Sequence, residues 1–150
     1  MTKQAVLTGP SSSDNPGHAQ FITASSEPYD WRNPQNENLW QGVGGVNNPC
    51  PAGFRVPTTD EWQEEIDSWI SKDPSGAFAS PLKLPLGGYR VEVTGSPSMP
   101  AYTGSTAFYW SGTANGSYAY GLFLMINSGS DAVMDRWNRA KGGSVRCIKD

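Results

Sequence analysis

Charge is scarce in this chain, and so are the residues that most often perform chemistry. Asp, Glu, Lys and Arg make up 17% of the 150 residues, against roughly a quarter in ordinary globular domains. There is one histidine, His18, and there are two cysteines, Cys50 and Cys147. A lone histidine in a Gly/Pro/Ser loop is far more often plain surface than a general base. Two cysteines are too few for a zinc site of the usual spacing. No apolar run is long enough to span a membrane. The start, Met1-Thr2-Lys3-Gln4-Ala5-Val6-Leu7, lacks the hydrophobic stretch of a signal peptide; the expectation is no export by that route, or an end domain of something longer. The formal net charge of −3 is not the basic footprint of a nucleic-acid binder. Arg136, Arg139, Lys141, Arg146 and Lys149 cluster near the end, but Asp131, Asp135 and Asp150 sit among them. A locally basic face or structural hydrogen bonding is expected there, not DNA contact.

Turn formers and large rings are abundant. The chain has 17 Gly, 12 Pro and six Trp, and aromatics reach 11%. Its length suits one domain with one core, and its rings are too many for disorder. Gly and Pro at this density predict loops and short strands, not a helical bundle. From Phe108 to Asp150 the residues of exposed type are Tyr118, Tyr120, Phe123, Asn127, Ser128, Ser130, Asp131, Asp135, Trp137 and Asn138. Tyr, Ser, Gly, Asn and Asp on a rigid frame make a recognition surface, as in antibody loops.

Ala5-Val6-Leu7 and Phe21-Ile22-Thr23 read as short strands, the first at an edge. Ser25 to Pro51 reads as ordered loop held by Tyr29, Trp31 and Trp40 packing inward. One helix is well signalled. Thr58 with Glu61 has capping-box spacing, and Trp62, Ile66, Trp69 and Ile70 form one buried stripe. Asp73-Pro74-Ser75-Gly76 is expected to end it. Strand-like runs follow at 82–86, 89–93, 107–111, 118–126 and 144–148, separated by Gly, Pro, Ser and Asn. Of the alternating sets at 119–126, Leu122, Leu124 and Ile126 are the more uniformly aliphatic. Cys50 and Cys147 lie in the two most motif-like segments; a disulfide is favoured there over two buried thiols and would imply an oxidising exterior.

Asn48-Pro49-Cys50-Pro51-Ala52-Gly53-Phe54-Arg55-Val56-Pro57-Thr58 is followed by Glu61-Trp62. With Leu86-Gly87-Gly88-Tyr89-Arg90, Tyr109-Trp110-Ser111-Gly112-Thr113 and Gly143-Ser144-Val145-Arg146-Cys147, this resembles the Fibrobacter succinogenes major paralogous domain of the C-type-lectin-like superfamily. The resemblance covers roughly residues 29–150, and the order and spacing of the four motifs make it specific. The loop from Tyr29 to Pro51 looks like phage-borne and prophage-borne members. Many of those are variable proteins of diversity-generating retroelements, in which a template RNA miscopied at adenines overwrites the 3′ end of the gene.

The resemblance implies an α+β, C-type-lectin-like fold: two terminal strands brought together, one or two helices, long ordered loops and small twisted antiparallel sheets. It implies a single domain over 1–150, with 1–28 as an N-terminal strand and loop extension and 108–147 as the variable, ligand-binding region. Trp110 and Val145-Arg146-Cys147 would be scaffold. Ala119, Leu122, Leu124, Arg139 and Ala140 look invariant in type. Tyr118, Tyr120, Gly121, Phe123, Asp131, Asp135, Asn138, Lys141 and Gly143 fall where such proteins vary. Randomising the adenines of an Asn codon ending in C yields Asn, Ser, Tyr, Phe, Asp, Gly and Ala among others, but not Trp, Lys or Met. Most of these positions fit; Lys141, Trp137 and Met134 do not. Calcium-dependent sugar lectins carry Glu-Pro-Asn or Gln-Pro-Asp and Trp-Asn-Asp. Here the nearest strings are Glu27-Pro28-Tyr29 and Trp137-Asn138-Arg139, an incomplete calcium set.

The expected function is a ligand- or receptor-binding module displayed on a virion or cell surface. Its expected contacts are Phe108, Tyr118, Tyr120, Phe123, Asn127, Asp131, Asp135, Trp137, Asn138 and Lys141. Aromatic anchors would supply area at low entropic cost and the polar groups direction. The partner would be a host or target surface protein or a glycan. No metal, cofactor or nucleic acid is called for, and no heptad or apolar patch demands a homo-oligomer, although variable proteins on tails are often trimeric. The alternatives are an invariant surface or adhesion domain of the same family, and a calcium-independent carbohydrate-binding domain. An enzyme fits less well. Asp60, Glu61, Glu64, Glu65 and Asp67 belong to one helix and its solvent face, and nothing supports Asp131 and Asp135 as an acid–base pair. Formylglycine-generating enzymes share the superfamily, but they are larger and use active-site cysteines.

Overall fold

Thr58 starts the first helix in the expected way. Its backbone is extended, its hydroxyl accepts from the Glu61 N–H, and its own N–H donates to the Glu61 carboxylate at 2.8 Å. Two orphan N–H groups are thereby satisfied, and α1 runs Thr59–Ser68. It stops earlier than Asp73. The Lys72 ammonium folds back to donate to the carbonyls of Ile66, Asp67 and Trp69 at the helix end, where Ile66 also accepts from the Trp69 N–H. Trp62, Ile66 and Trp69 are buried as expected, but Ile70 lies beyond the end and is fully exposed. Asp73-Pro74 is a start, not a stop. Asp73 accepts from the Gly76 N–H, Pro74 takes the first position, and α2 spans Pro74–Ala79. Gly76 is required there, because a Cβ would stand 1.7 Å from the Ser71 carbonyl oxygen.

The computed structural model describes residues 6–96, 104–126 and 131–150. The chain is α+β, with two helices and three small sheets. β1 (Val6–Thr8) pairs in parallel with β2 (Phe21–Thr23). β3 (Phe54–Arg55) pairs antiparallel with β7 (Ile148–Lys149). The main sheet holds β4 (Thr106–Asn115), β5 (Tyr118–Met125) and β6 (Val133–Asn138) in that order, antiparallel throughout. Two expectations are corrected. Among the described residues the two ends of the chain do not pair with each other; each finds an internal partner. The runs at 82–86 and 89–93 are not strands; Arg90 makes one bridge, to Gly142, and Gly88, between the runs, makes another to Ala107. The 144–148 run forms strand only at its end, with Ser144 bridging to Tyr109. β6 was not foreseen.

Leu122 and Leu124 face α1, and with Ala107, Tyr109, Trp62, Ile66 and Trp69 they make the core. Ile126, expected in the same set, lies past the strand end and is exposed. The Trp62 indole N–H donates to the Trp110 carbonyl at 3.2 Å, so the largest core ring is also satisfied. Tyr109 donates its hydroxyl to the Pro85 carbonyl at 2.6 Å, and burial pushes its ionisation up. Cys50 and Cys147 are bonded, closing a loop of sequence separation 97. Beside them Arg55 makes a two-pronged pair with Glu61 at 2.7 Å and a contact with Asp150 at 2.6 Å. No helix among the described residues is long and apolar enough to cross a membrane.

Candidate ligand-binding face

Directly opposed residues in a sheet share a face. Tyr118 opposes Asn138, Tyr120 opposes Arg136, and Leu122 opposes Met134. These lie on the face that α1 covers further along. Phe108 opposes Phe123, Gly121 opposes Asp135, and Ala119 opposes Trp137. These lie on the other face. The expected contact residues are therefore divided between two faces of one sheet, and they meet only around β6, its edge strand.

On the second face Trp137 is the hub of an aromatic cluster. It stacks on Phe108 at 4.0 Å with an interplanar angle of 16°, takes the Tyr89 ring edge-on at 4.6 Å, and leans on Phe123 at 5.4 Å. The Lys141 ammonium stands 4.1 Å from its ring centroid, a cation–π contact. Its indole N–H donates to Asp135 at 3.1 Å. Phe108 is 0% exposed, so its assignment as a ligand contact is corrected: its ring is spent on Trp137 and Trp110. Trp137 is half-buried and holds the frame. Gly121 and Gly143 are corrected as positions of variation. A Cβ on Gly121 would lie 2.4 Å from the Tyr109 carbonyl oxygen, and one on Gly143 would lie 2.8 Å from the Trp110 indole nitrogen.

The first face is more open at its far end. Tyr118 and Tyr120 are half-exposed and Arg136 is exposed, with the Arg136 guanidinium 5.1 Å from the Tyr118 ring. Asp131 is exposed. Asp135 also accepts from the Arg136 N–H at 2.8 Å, and the Asn138 amide donates to Glu92 at 2.9 Å. Asn127, with Ser128 and Ser130, lies outside the described residues.

The basic residues are mostly structural. Arg146 donates to the Leu82 carbonyl. Arg139 is a latch. Its side chain is 8% exposed and lies 3.4 Å from the Asp30 carboxylate, itself 2% exposed. It also donates to the carbonyls of Asn36, Gly116 and Tyr118. One guanidinium thus ties the loop at 30–36 to the β4–β5 hairpin. His18 sits in an exposed loop, where its Nδ1 accepts from the Gln20 N–H.

Behind that latch is a feature that sequence reasoning missed. A cavity of about 300 Å³ lies between the early loop and the sheet, lined by Phe21, Trp31, Trp40, Trp110, Ala119 and Ala140 among others. Trp31 and Trp40 were expected to pack inward, and both are half-buried. Asp30 and Arg139, in contact across 109 residues, both line the cavity, and no local pattern announces that contact. Six tryptophans in a chain with few aliphatic residues was the signal available.

No family model, curated protein or solved structure matches the chain. Among the described residues no three His, Cys, Asp or Glu side chains are grouped to hold a metal ion.

Proposed function

We propose that this chain is a non-catalytic ligand- or receptor-binding module of C-type-lectin-like fold, displayed on a virion or cell surface. Its ligand would be a protein or glycan on a target surface, met around β6, the edge strand, and the neighbouring end of β5. The observation that carries this reading is the arrangement of Tyr118, Tyr120 and Arg136. They stand accessible on a sheet whose core side is packed on α1, in a chain cross-linked by the Cys50–Cys147 bond. Rigid aromatic anchors on a fixed frame lose little entropy on binding. The disulfide supports an oxidising exterior. The resemblance to retroelement variable proteins supports a diversified surface, and the packing narrows it. Tyr118, Tyr120, Phe123 and Asp131 are the positions free to change; Phe108, Gly121, Trp137 and Gly143 are frame, and Asp135 and Lys141 hold Trp137.

The test is to sequence codons 108–150 from many individuals of the source population and to search nearby for a near-identical repeat. Substitutions at the free positions, matching adenine-containing codons of the repeat, are expected. A uniform sequence without a repeat would leave an invariant surface domain instead.

A further inference from the structure

The six indole N–H groups divide into two sets of three. Those of Trp62, Trp69 and Trp137 donate to the Trp110 carbonyl, Glu65 and Asp135. Those of Trp31, Trp40 and Trp110 have no acceptor among the described residues, and none of the three nitrogens is sealed from solvent. The members of this second set all line the same cavity. Trp110 is 5% exposed, so its free N–H is a donor on an otherwise buried ring. Gly143, which also lines the cavity, leaves room in front of that nitrogen, where a Cβ would come within 2.8 Å. Indole nitrogen donates and never accepts. Donors unpaired within the protein and open to solvent at a concave apolar site are available to a ligand that brings acceptors.

The charges narrow the class. Asp30, Glu37, Arg139 and Lys141 line the cavity, two acids against two bases, and Arg139 pairs with both acids, with Asp30 at 3.4 Å and with Glu37 at 3.8 Å. The site therefore favours a neutral guest. An organic cation would suit aromatic walls but offers nothing to three N–H donors. A flat heterocycle has acceptors on its edge only. A sugar ring presents weakly positive C–H faces to the negative faces of indoles and carries oxygens around its whole rim. The volume, about 300 Å³, is at the small end for small-molecule sites.

We propose that this cavity is a binding site for a neutral saccharide unit, separate from the diversified edge and independent of it. The indoles of Trp31 and Trp40 supply the stacking walls. Their N–H groups and that of Trp110 donate to ring and hydroxyl oxygens, and Glu37 at the mouth accepts from a hydroxyl.

The experiment is an indole-region NMR titration of the intact chain labelled with nitrogen-15. The probes are methyl glycosides of glucose, galactose, mannose and N-acetylglucosamine, each at millimolar concentration. Saturable shifts are expected at the Trp31, Trp40 and Trp110 resonances, with those of Trp62, Trp69 and Trp137 nearly still. Trp31→Phe and Trp40→Phe keep a ring wall and remove the donor, and each is expected to weaken binding roughly two- to tenfold. Trp31→Ala removes both and is expected to cost more than about tenfold. The wild-type pattern needs no variant, so a variant that misfolds does not shield the proposal. No saturable shift with any glycoside overturns it. So do shifts spread equally over all six indoles, or a response to tetramethylammonium with none to sugar. Trp31 and Trp40 lie outside codons 108–150, so failure here leaves the diversification test untouched.

Discussion

One closure joins Cys50 to Cys147; the other joins Asp30 to Arg139. Each brings an early loop against a late segment, and each spans about a hundred residues. They are made of different materials. The first is covalent, reinforced by the β3–β7 ladder and by Arg55 holding both Glu61 and Asp150. Its neighbourhood holds together without Arg139. The second is a buried ion pair with carbonyl contacts, and both its partners line the cavity of about 300 Å³. A covalent bond restricts the unfolded chain and is indifferent to small changes nearby. A buried ion pair is directional, and fails badly when one partner goes. The chain thus has a clamp that fixes the frame and a latch whose loss should free one loop.

Breaking the clamp should have the largest effect. The double variant Cys50→Ser with Cys147→Ser is expected to lose about 4–5 kcal/mol of unfolding free energy, the chain-entropy value for a loop of this length. Denaturant unfolding monitored by tryptophan fluorescence measures it. A loss below about 1 kcal/mol would mean that Arg55 and the short ladder carry the closure without the bond.

Breaking the latch should cost less in total and be confined in space. Arg139→Ala leaves the Asp30 carboxylate buried without its cation, a change worth about 3–5 kcal/mol. Asp30 retains the Arg32 N–H and Gln35 amide, so the lower half of that range is expected. Hydrogen exchange gives the sharper reading. The Ser11 amide on the Trp31 carbonyl and the Ala140 amide on the Tyr29 carbonyl should lose protection. The β3–β7 pair should keep its own. Uniform loss across the chain would show that the two closures are one cooperative unit.

These closures were unequally legible. The motif segments around Cys50 and Cys147 pointed to the clamp, and the capping box at Thr58 and Glu61 was readable because it spans one turn. The stop of α1 was not. Asp73-Pro74 serves equally as a terminator or as the first residues of a new helix, and the Lys72 cap that decides the matter is a side-chain choice. β6 was missed because Val133-Met134-Asp135-Arg136-Trp137 mixes charges into a short edge strand, where pairing with β5 supplies what propensity does not. Its register then divided the expected contacts between faces, a consequence of period two that needs the partner strand to be seen. The latch and cavity were invisible for a plainer reason: Asp30 and Arg139 are 109 residues apart.

Gly121 tests where the frame ends and the proposed variable surface begins. Gly121→Ala is expected to destabilise by about 1–3 kcal/mol through overpacking, since its Cβ would meet the Tyr109 carbonyl and the Phe108 ring. Glycine should also persist there in every natural variant. A tolerated side chain at 121 would return that position to the ligand face.

Acid sharpens the comparison most finely, through the Glu61 carboxylate at the clamp. The Arg55 guanidinium, with help from the Thr58 N–H, holds Glu61 down to about 2 from an ordinary value of 4.5. The folded value lies below the unfolded one. The stabilisation is therefore complete above about pH 4.5 and is lost as pH falls toward 2. Asp14 and Asp73 are lowered too, Asp14 chiefly by Asn36 and Arg32, Asp73 chiefly by the Ser71 hydroxyl, so several groups share the acid slope. Glu61→Gln isolates one share. Glutamine can still accept from the Thr58 N–H and complete the capping box, but it neither titrates nor pairs as an anion with Arg55. Urea midpoints measured from pH 7 to pH 2 should show the variant less stable at neutral pH and less sensitive to acid, with the two curves converging at the low end. Parallel curves would mean that Glu61 contributes through its hydrogen bonds alone, and that the charge on Arg55 is satisfied by Asp150.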